Sequence, residues 1–330
     1  MSVSVLFIGG TGRISTSCVR EAVSRGLDVT VLNRGRTSER TLPPETALVT
    51  ADVNDPESVR KALGDRTFDA VVNWVNFTPE QVQRDIDLFK GRCGQYLFIS
   101  SASAYQTPPT HLPVTESTPL KNPYWQYSRD KIACEELLVK AYREDDFPIT
   151  IIRPSHTYDE TMLPFDGGWT VVDRMRQGKP VIVHGDGTSL WTITNSRDFA
   201  VGFTGLLGKE AAIGEAFHIT GDEAPTWNQI FRYIADAAGV ADPDLVHVPS
   251  DAIAAADPNW GAGLLGDKAH SMVFDNAKVK SLVPEFGLDT TPYKTGAREV
   301  ISWYDAHPEA QVVDPETDAL MDRLAERYGV

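Results

Sequence analysis

The sequence predicts an α/β fold, a doubly wound parallel sheet with a smaller C-terminal substrate-binding lobe. Two observations support this prediction. Short β-branched runs alternate with helix-length stretches through the first half of the chain, and runs such as AVVNWV and YLFIS are almost continuously apolar. A parallel crossover needs a dozen or more residues, which the helix-length stretches supply. Strands covered on both faces are apolar throughout, as these runs are.

The pattern predicts that strands and helices alternate up to residue 153, with one pair of strands, 28–33 and 47–51, that no helix separates. Strands are expected at residues 3–8, 28–33, 47–51, 68–74, 95–100 and 149–153, and helices at 12–25, 56–63, 79–90 and 127–142. Beyond this point, turn signals at 166–168 and 185–187 interrupt the pattern, and one further helix is expected near 198–207. The second half is therefore expected to form the smaller lobe, over the carboxyl edge of the sheet, where ligands of open α/β sheets bind.

Composition and charge exclude several classes of protein. The 330 residues are 42% hydrophobic and 23% charged, as in folded proteins, and their net charge is −15. Such a surface repels phosphate backbones and anionic lipid, so neither nucleic acid nor a membrane is expected as a partner. Cys18, Cys93 and Cys134 are too few and too scattered for a disulfide framework or a zinc site, and no metal is expected. With no leader or spanning run visible, we expect a cytoplasmic protein.

A glycine-rich turn, GGTGRIS, follows the first predicted strand and opens the first predicted helix. Ser15 stands where a dinucleotide-binding turn usually has its last glycine. Glycine permits a tight turn and close approach of the backbone, and the helix start offers N–H groups to a pyrophosphate. An ordinary strand-to-helix turn is the alternative. The residues predicted to bind a dinucleotide here are Gly9, Gly10, Thr11, Gly12, Arg13 and Ile14.

The end of the second predicted strand bears on the choice of dinucleotide. Asn33 stands where an NAD site usually has an acid, and Arg34 and Arg36 follow it. Guanidinium groups suit a 2′-phosphate, so the prediction is NAD(P) with a preference for NADP. A solvated basic turn is the alternative, and Asn33 could still bond a free hydroxyl. Asp52 and Val53, which follow the third strand, are expected to meet the adenine.

A possible catalytic group follows the fifth predicted strand. Ser101 comes directly after this strand, and Tyr127 and Lys131 are four residues apart, on one face of a helix. A free tyrosine is only about 0.1% ionised at pH 7. A nearby ammonium is expected to lower its pKa, so that Tyr127 exchanges a proton with a hydroxyl while Ser101 holds the oxygen. A simple surface pair of Tyr127 and Lys131 is the alternative.

Together these segments resemble the extended short-chain dehydrogenase/reductases, in particular the NAD(P)-dependent epimerase/dehydratase family. GGTGRIS and VLNRG also resemble an atypical branch that includes chloroplast stem-loop RNA-binding proteins, and RPSHTYD and GDGTSLWTITNSRDFA match further family segments. The resemblance implies a Rossmann-type fold and a catalytic triad of Ser101, Tyr127 and Lys131, with Lys131 also holding the nicotinamide ribose. The further cofactor contacts that it implies are Trp74, Val75 and Pro154.

The resemblance also implies a division of the chain and an assembly. We expect a dinucleotide-binding domain over residues 1–155, to which 192–220 return, and a substrate-binding lobe over 156–191 and 221–330. Relatives often dimerise through the third and fourth predicted helices, so a homodimer is implied. Leu137, Leu138 and Tyr142 could contribute to its interface, unless they only pack on the sheet.

Three departures from the family pattern bear on the substrate. Trp191 and Leu264 stand where sugar-nucleotide epimerases usually have arginines that bind the diphosphate. Ala102 and Ser103 stand where dehydratases usually have an Asp-Glu pair, which disfavours loss of water. The predicted substrate contacts are Ser103, His156 and Trp191.

The resulting hypothesis is an NAD(P)-dependent epimerase or dehydrogenase that acts on a secondary alcohol of a sugar or sugar-like small molecule. Two alternatives stay open: a non-catalytic NAD(P)-sensing or RNA-binding protein on the same fold, and a nucleotide-sugar dehydratase. The Tyr127 and Lys131 pair favours an enzyme, and the net charge of −15 opposes RNA binding.

Overall fold

The computed structural model describes residues 2–35 and 40–329. Its strands are β1 (Ser4–Ile8), β2 (Asp28–Asn33), β3 (Ala47–Thr50), β4 (Ala70–Asn73), β5 (Tyr96–Ile99), β6 (Ile149–Pro154), β7 (His156–Tyr158), β8 (Val181–His184), β9 (Ile193–Asn195), β10 (Ala216–Ile219) and β11 (Leu245–Val248). Its helices are α1 (Arg13–Ser24), α2 (Pro56–Leu63), α3 (Pro79–Phe89), α4 (Gln126–Asp145), α5 (Trp169–Arg176), α6 (Ser196–Gly205), α7 (Trp227–Ala237), α8 (Ser250–Ala256), α9 (Pro258–Gly263), α10 (Ala277–Leu282), α11 (Tyr293–Ala306) and α12 (Pro315–Tyr328).

Seven of the described strands form one parallel sheet in the order β10-β6-β5-β4-β1-β2-β3. The predicted α/β fold is confirmed, and each of the six predicted strands is present with its ends shifted by at most two residues. The chain reverses its direction of winding between β1 and β4. A crevice opens at such a reversal, at the carboxyl ends of the two strands.

The strands are apolar because helices cover both faces of the sheet. In β1, Val5 and Phe7 belong to the apolar cluster under α1 and α6, whereas Leu6 and Ile8 belong to the cluster under α2, α3 and α4. Successive side chains of a strand point to opposite faces, so both sets are buried. Leu138 of α4 is also fully buried in the second cluster. It therefore packs on the sheet and is not available to a dimer interface.

The second half of the chain builds a third apolar cluster, centred on large aromatic residues such as Trp169, Trp227 and Tyr293. Two short parallel pairs, β7 with β9 and β8 with β11, belong to this half. It also contains a single π turn, Leu264–Lys268, directly after α9. Within the described residues, no helix combines the length and the apolar character needed to cross a bilayer.

Candidate active site

The glycine turn after β1 lies directly against the residues that follow β4. Gly9 has a φ of +86°, and a Cβ added to it would lie 2.7 Å from Cγ1 of Val75. A Cβ on Gly10 would lie 2.9 Å from Cγ2 of Val31. A side chain at position 9 would therefore collide with Val75 and one at position 10 with Val31 of β2, and the backbone conformation of Gly9 itself favours glycine.

Ser15 performs a structural task in the turn. Its Oγ accepts a hydrogen bond from the Gly12 N–H at 2.8 Å and lies 3.0 Å from the Gly9 carbonyl oxygen, to which it donates. Gly12 is the N-cap of α1, and Arg13 follows at the solvent-exposed first helical position. A helix start with free N–H groups favours an anion, and the glycines leave room for the backbone of the turn to approach it. The residues present fit a dinucleotide pyrophosphate.

The predicted adenine and ribose contacts lie at the ends of β2 and β3. The Oδ1 atom of Asn33 accepts the Gly35 N–H at 2.9 Å, so this amide oxygen shapes the turn after β2. Asp52 likewise accepts the Asn54 N–H at 3.0 Å, and Val53 is buried in the core. Arg34 is exposed, and the predicted contact Arg36 lies outside the described residues.

Trp74 and Val75, predicted to lie against the cofactor, both border the glycine turn. The Trp74 ring packs on α6, with its centroid 5.3 Å from that of Phe203. Its Nε1 atom is buried without a hydrogen-bond partner. The backbone of Trp74 thus forms one side of the crevice, while its indole ring extends under α6.

The structure brings Ser101, Tyr127 and the predicted substrate contacts into one cavity of about 270 Å³, whereas Lys131 is not among the residues that line it. Ser101 reaches it from the end of β5, Tyr127 from the first turn of α4, and Pro154 from the end of β6. Further predicted residues that line it are Ile14, Ser103, His156 and Trp191. Because β5 and β6 are neighbours in a parallel sheet, their carboxyl ends meet at the same edge.

A chain of three serine hydroxyls holds Ser101. Its Oγ lies 2.9 Å from Oγ of Ser103, and the Ser128 hydroxyl donates to Ser103 Oγ at 2.7 Å. Ser103 lines the cavity, as predicted for a substrate contact, but its hydroxyl is already engaged by these two neighbours. In this arrangement Ser103 positions Ser101 relative to α4.

The Lys131 ammonium is buried beneath Tyr127 and bonded to two backbone carbonyls. Its Nζ donates to the carbonyl oxygens of Asn76 and Ile99, each at 2.7 Å. It also lies 4.7 Å from the centroid of the Phe77 ring. Burial lowers the pKa of Lys131 to about 8. These contacts hold the amine in place between the end of β5 and the segment that follows β4.

The carbonyl of Asn76 is held by a buried network that the sequence analysis did not find. The Asp85 carboxylate accepts hydrogen bonds from Asn76 Nδ2 at 2.8 Å and from the Tyr96 hydroxyl at 2.7 Å. Arg84 lies 3.2 Å from the same carboxylate. One sequence signal could have revealed it: Asp85 lies next to Ile86 on the apolar face of α3, where a carboxylate needs buried partners.

The pKa of Tyr127 shifts in the direction opposite to the sequence expectation. Burial raises it, the charge of Asp267 adds to the rise, and the interaction with the Ser101 side chain opposes it. The Lys131 Nζ lies 5.8 Å from the centroid of the phenol ring, and its hydrogen bonds go to carbonyl oxygens. Tyr127 is therefore a neutral phenol at physiological pH in the absence of a bound cofactor.

Among the polar side chains that line the same cavity from the second half of the chain are His156, Trp191 and Asp267. His156 Nε2 and Trp191 Nε1 are both buried without a hydrogen-bond partner. Asp267 lies in the π turn after α9, and burial raises its pKa to about 7. The sequence analysis did not predict Asp267 as a site residue. Gly266 seats this turn, since a Cβ there would lie 2.8 Å from Cβ of Trp125.

Curated relatives match parts of this chain. A UDP-glucose 4-epimerase of Lactobacillus helveticus is 32% identical over 168 residues, which cover 46% of this chain and 51% of the relative. Chloroplast stem-loop binding protein of 41 kDa b of Arabidopsis thaliana is 27% identical over 255 residues, 74% of this chain and 65% of the relative. The matches thus span between about half and just under two thirds of these relatives.

Solved structures share the fold over nearly the whole chain. An epimerase from Methanothermobacter thermautotrophicus superposes with a TM-score of 0.75 at 16% identity, covering 94% of both chains. The UDP-glucose 4-epimerase of Bifidobacterium longum, solved in complex with NAD+ and UDP, gives 0.71 at 19% identity and covers 93% of this chain and 99% of its own. At these identities the likeness shows the fold alone.

A family model settles the membership of the chain. The model described as "NAD dependent epimerase/dehydratase family" matches residues 5–220, more than half of the chain. This range includes the glycine turn after β1, the end of β5 and the helix that carries Tyr127 and Lys131. The chain therefore belongs to the NAD-dependent epimerase/dehydratase family.

Proposed function

We propose that this protein is an NAD(P)-dependent epimerase or dehydrogenase that acts on a secondary alcohol of a sugar-like small molecule. One observation carries the proposal: Ser101 and Tyr127 line one cavity together with Ile14 at the start of α1, and the buried Lys131 Nζ lies 5.8 Å from the centroid of the Tyr127 ring. A dinucleotide bound along this crevice supplies a hydride acceptor or donor. The proposed catalytic residues are Ser101, Tyr127 and Lys131.

In the proposed mechanism, Tyr127 moves the proton. As a neutral phenol of raised pKa it is set to donate a proton to a carbonyl oxygen, and in the reverse direction it takes the proton of a carbinol. Ser101 holds the same oxygen by a hydrogen bond. Lys131, fixed by two carbonyls, offers its remaining N–H to the crevice and adds positive charge near the phenol.

The proposed dinucleotide is NAD(P), with a preference for NADP. The preference is supported by the end of β2, where Asn33 replaces an acid and the exposed Arg34 follows. A carboxylate at this place would repel a 2′-phosphate, whereas a guanidinium attracts it. We also propose that residues 1–155 and 192–220 form the cofactor domain, that the rest forms the substrate lobe, and that the protein acts in the cytoplasm.

Replacing Tyr127 with phenylalanine tests the function. The Y127F change removes the proton carrier and keeps the ring, so hydride transfer is expected to fall by about 10²- to 10⁴-fold. Dinucleotide affinity is expected to stay within a factor of about two. Cofactor absorbance measures transfer, and parallel titrations of NAD and NADP measure affinity, with tighter binding of NADP expected. Wild-type turnover of a confirmed substrate by Y127F would refute the assigned base.

A further inference from the structure

We propose that the cavity beside Tyr127 takes a small uncharged polyol or free sugar, recognised by Trp191, His156 and Asp267, and does not take a sugar joined to a nucleoside diphosphate. This inference deepens the proposed function, and it rests on that function for the position of the reacting carbinol.

The charge of the residues that line the cavity disfavours a diphosphate. Among the described residues that line it, none is a lysine or an arginine, and one, Asp267, is an acid. Lys268, the residue after Asp267, does not line the cavity, and its ammonium lies 3.7 Å from the carboxylate of Asp166. A diphosphate linkage brings two negative charges, and taking such charges out of water requires paired, charge-assisted contacts. This lining does not supply them.

Two buried polar atoms without hydrogen-bond partners favour a ligand with hydroxyl groups. The Nε1 of Trp191 and the Nε2 of His156 are both buried without partners, and both side chains line the cavity. A buried polar atom without a partner is costly, so its partner is expected to come from a ligand. Trp191 can only donate, whereas His156 can donate or accept according to its tautomer. Hydroxyl groups both donate and accept, and so satisfy this set.

The protonation state of His156 agrees with an uncharged ligand. Burial lowers its pKa to about 3, and the charges of Lys268 and Arg13 act in the same direction. The imidazole is therefore neutral at physiological pH and cannot pair with a phosphate as a cation. A neutral ring whose buried Nε2 has no partner is suited to a hydroxyl group.

The size and shape of the cavity also favour a small ligand. The cavity of about 270 Å³ lies just below the range of about 300–1,000 Å³ typical of pockets for drug-sized ligands. The proposed function places the nicotinamide ring in part of this space. Apolar walls from Trp125, Met272 and Phe274 cover the remainder. Such walls suit the C–H face of a sugar ring and leave little room for a nucleotide.

Calorimetric titration of the full chain, saturated with NAD(P), tests the proposal with two sets of probes. The first set is UDP and UDP-glucose, and the second is D-glucose, D-galactose and myo-inositol. The wild type is expected to bind at least one uncharged probe and to show no binding of UDP at millimolar concentration. Micromolar binding of UDP by the wild type, or failure of every uncharged probe to bind, would overturn the proposal.

Two variants sharpen the test by adding affinity for UDP. Trp191→Arg places a guanidinium in the cavity and is expected to raise UDP affinity about 10- to 100-fold. Adding Asp267→Asn to Trp191→Arg removes the like charge and preserves the shape, and this double variant is expected to bind UDP about two- to fivefold more tightly than Trp191→Arg alone. Leu288→Arg adds the same charge on the exposed surface and is expected to change nothing. Equal gains in Leu288→Arg would show that the cavity is not responsible.

The proposed function is followed separately in the same samples. Cofactor absorbance reports hydride transfer, and dinucleotide titration reports cofactor binding. An uncharged probe that binds without any hydride transfer would refute the proposed chemistry and leave the ligand selectivity intact. Hydride transfer with UDP-glucose would support the proposed chemistry and refute the proposed ligand selectivity.

Discussion

Tyr127 and Asp267 form a pair of titratable groups across one cavity, although they lie far apart in the sequence. The charge of Asp267 contributes to the raised pKa of Tyr127, and burial raises the pKa of Asp267 itself to about 7. Two acids with perturbed pKa values at one cavity are typical of functional positions, and here the pKa of Asp267 moves toward physiological pH whereas that of Tyr127 moves away from it. At neutral pH the Asp267 carboxyl exists partly in its protonated form, in which it can donate a hydrogen bond.

This raised pKa predicts a pH dependence of stability. In the unfolded chain Asp267 titrates at its ordinary value of 3.8, and in the folded protein at about 7. Between these values the folded state holds a proton that the unfolded state has lost, so the free energy of unfolding falls as the pH rises from about 4 to 7. Asp267→Asn is expected to remove this pH dependence. The free energy of unfolding of the variant, relative to that of the wild type, is therefore expected to be about 1–3 kcal/mol higher at pH 8 than at pH 4.

Urea denaturation of the wild type and Asp267→Asn across this pH range measures the effect. Asp65→Asn, which removes a carboxylate from the exposed surface, is the matched control. Its stability is expected to run parallel to that of the wild type. If the free energy of unfolding of Asp267→Asn also ran parallel to that of the wild type across this pH range, the Asp267 carboxyl would have the same pKa in the folded and unfolded states.

At the level of elements, the site depends on the junction between the turn after β1 and the segment after β4. Gly9 and Val75 touch across this junction, and Ser15 ties the turn to the first turn of α1. The start of α1 is thereby held at the mouth of the crevice. The pyrophosphate site thus depends on this packing as well as on the glycine motif.

Gly9→Ala tests this junction. The new Cβ would lie 2.7 Å from Val75 at a φ of +86°, so a loss of about 2–4 kcal/mol of stability is expected, together with at least about tenfold weaker dinucleotide binding. Gly26→Ala is the control, because its φ is +76° with nothing within 4 Å of the added Cβ. It is expected to cost about 1–2 kcal/mol without any change in dinucleotide affinity. Equal losses of affinity in both variants would contradict the role of the junction.

At the level of the whole molecule, the net charge of −15 separates the proposed enzyme from an RNA-binding protein. A relative from Arabidopsis thaliana carries the name of a stem-loop binding protein, so this alternative deserves a direct test. Binding to a phosphate backbone depends on lysine and arginine contacts that release counterions. A net negative charge of this size opposes such contacts.

A gel-shift series with a stem-loop RNA is therefore expected to show no complex at about 150 mM salt. Repeating it at about 50 mM salt separates weak electrostatic association from specific binding, since the former is lost steeply as salt rises. A complex that persists at the higher salt, from a preparation that transfers no hydride, would favour the RNA-binding alternative over the proposed enzyme.

Local spacing alone determined much of this protein. The alternation of apolar runs and helix-length stretches predicts the parallel sheet, GGTGRIS predicts the glycine turn, and a spacing of four places Tyr127 and Lys131 on one helix face. These features depend on the periodicity of strands and helices and on the conformational freedom of glycine, which act between close neighbours in the chain.

Tertiary structure decided the rest of the candidate site. The carbonyl of Asn76 that holds Lys131, the position of Asp267 opposite Tyr127, and the unpaired nitrogens of His156 and Trp191 all depend on contacts between distant segments. The direction of the Tyr127 pKa shift belongs to the same group, because burial determines it. Burial and unpaired hydrogen bonds are properties of the packed chain, so no local pattern of residues specifies them.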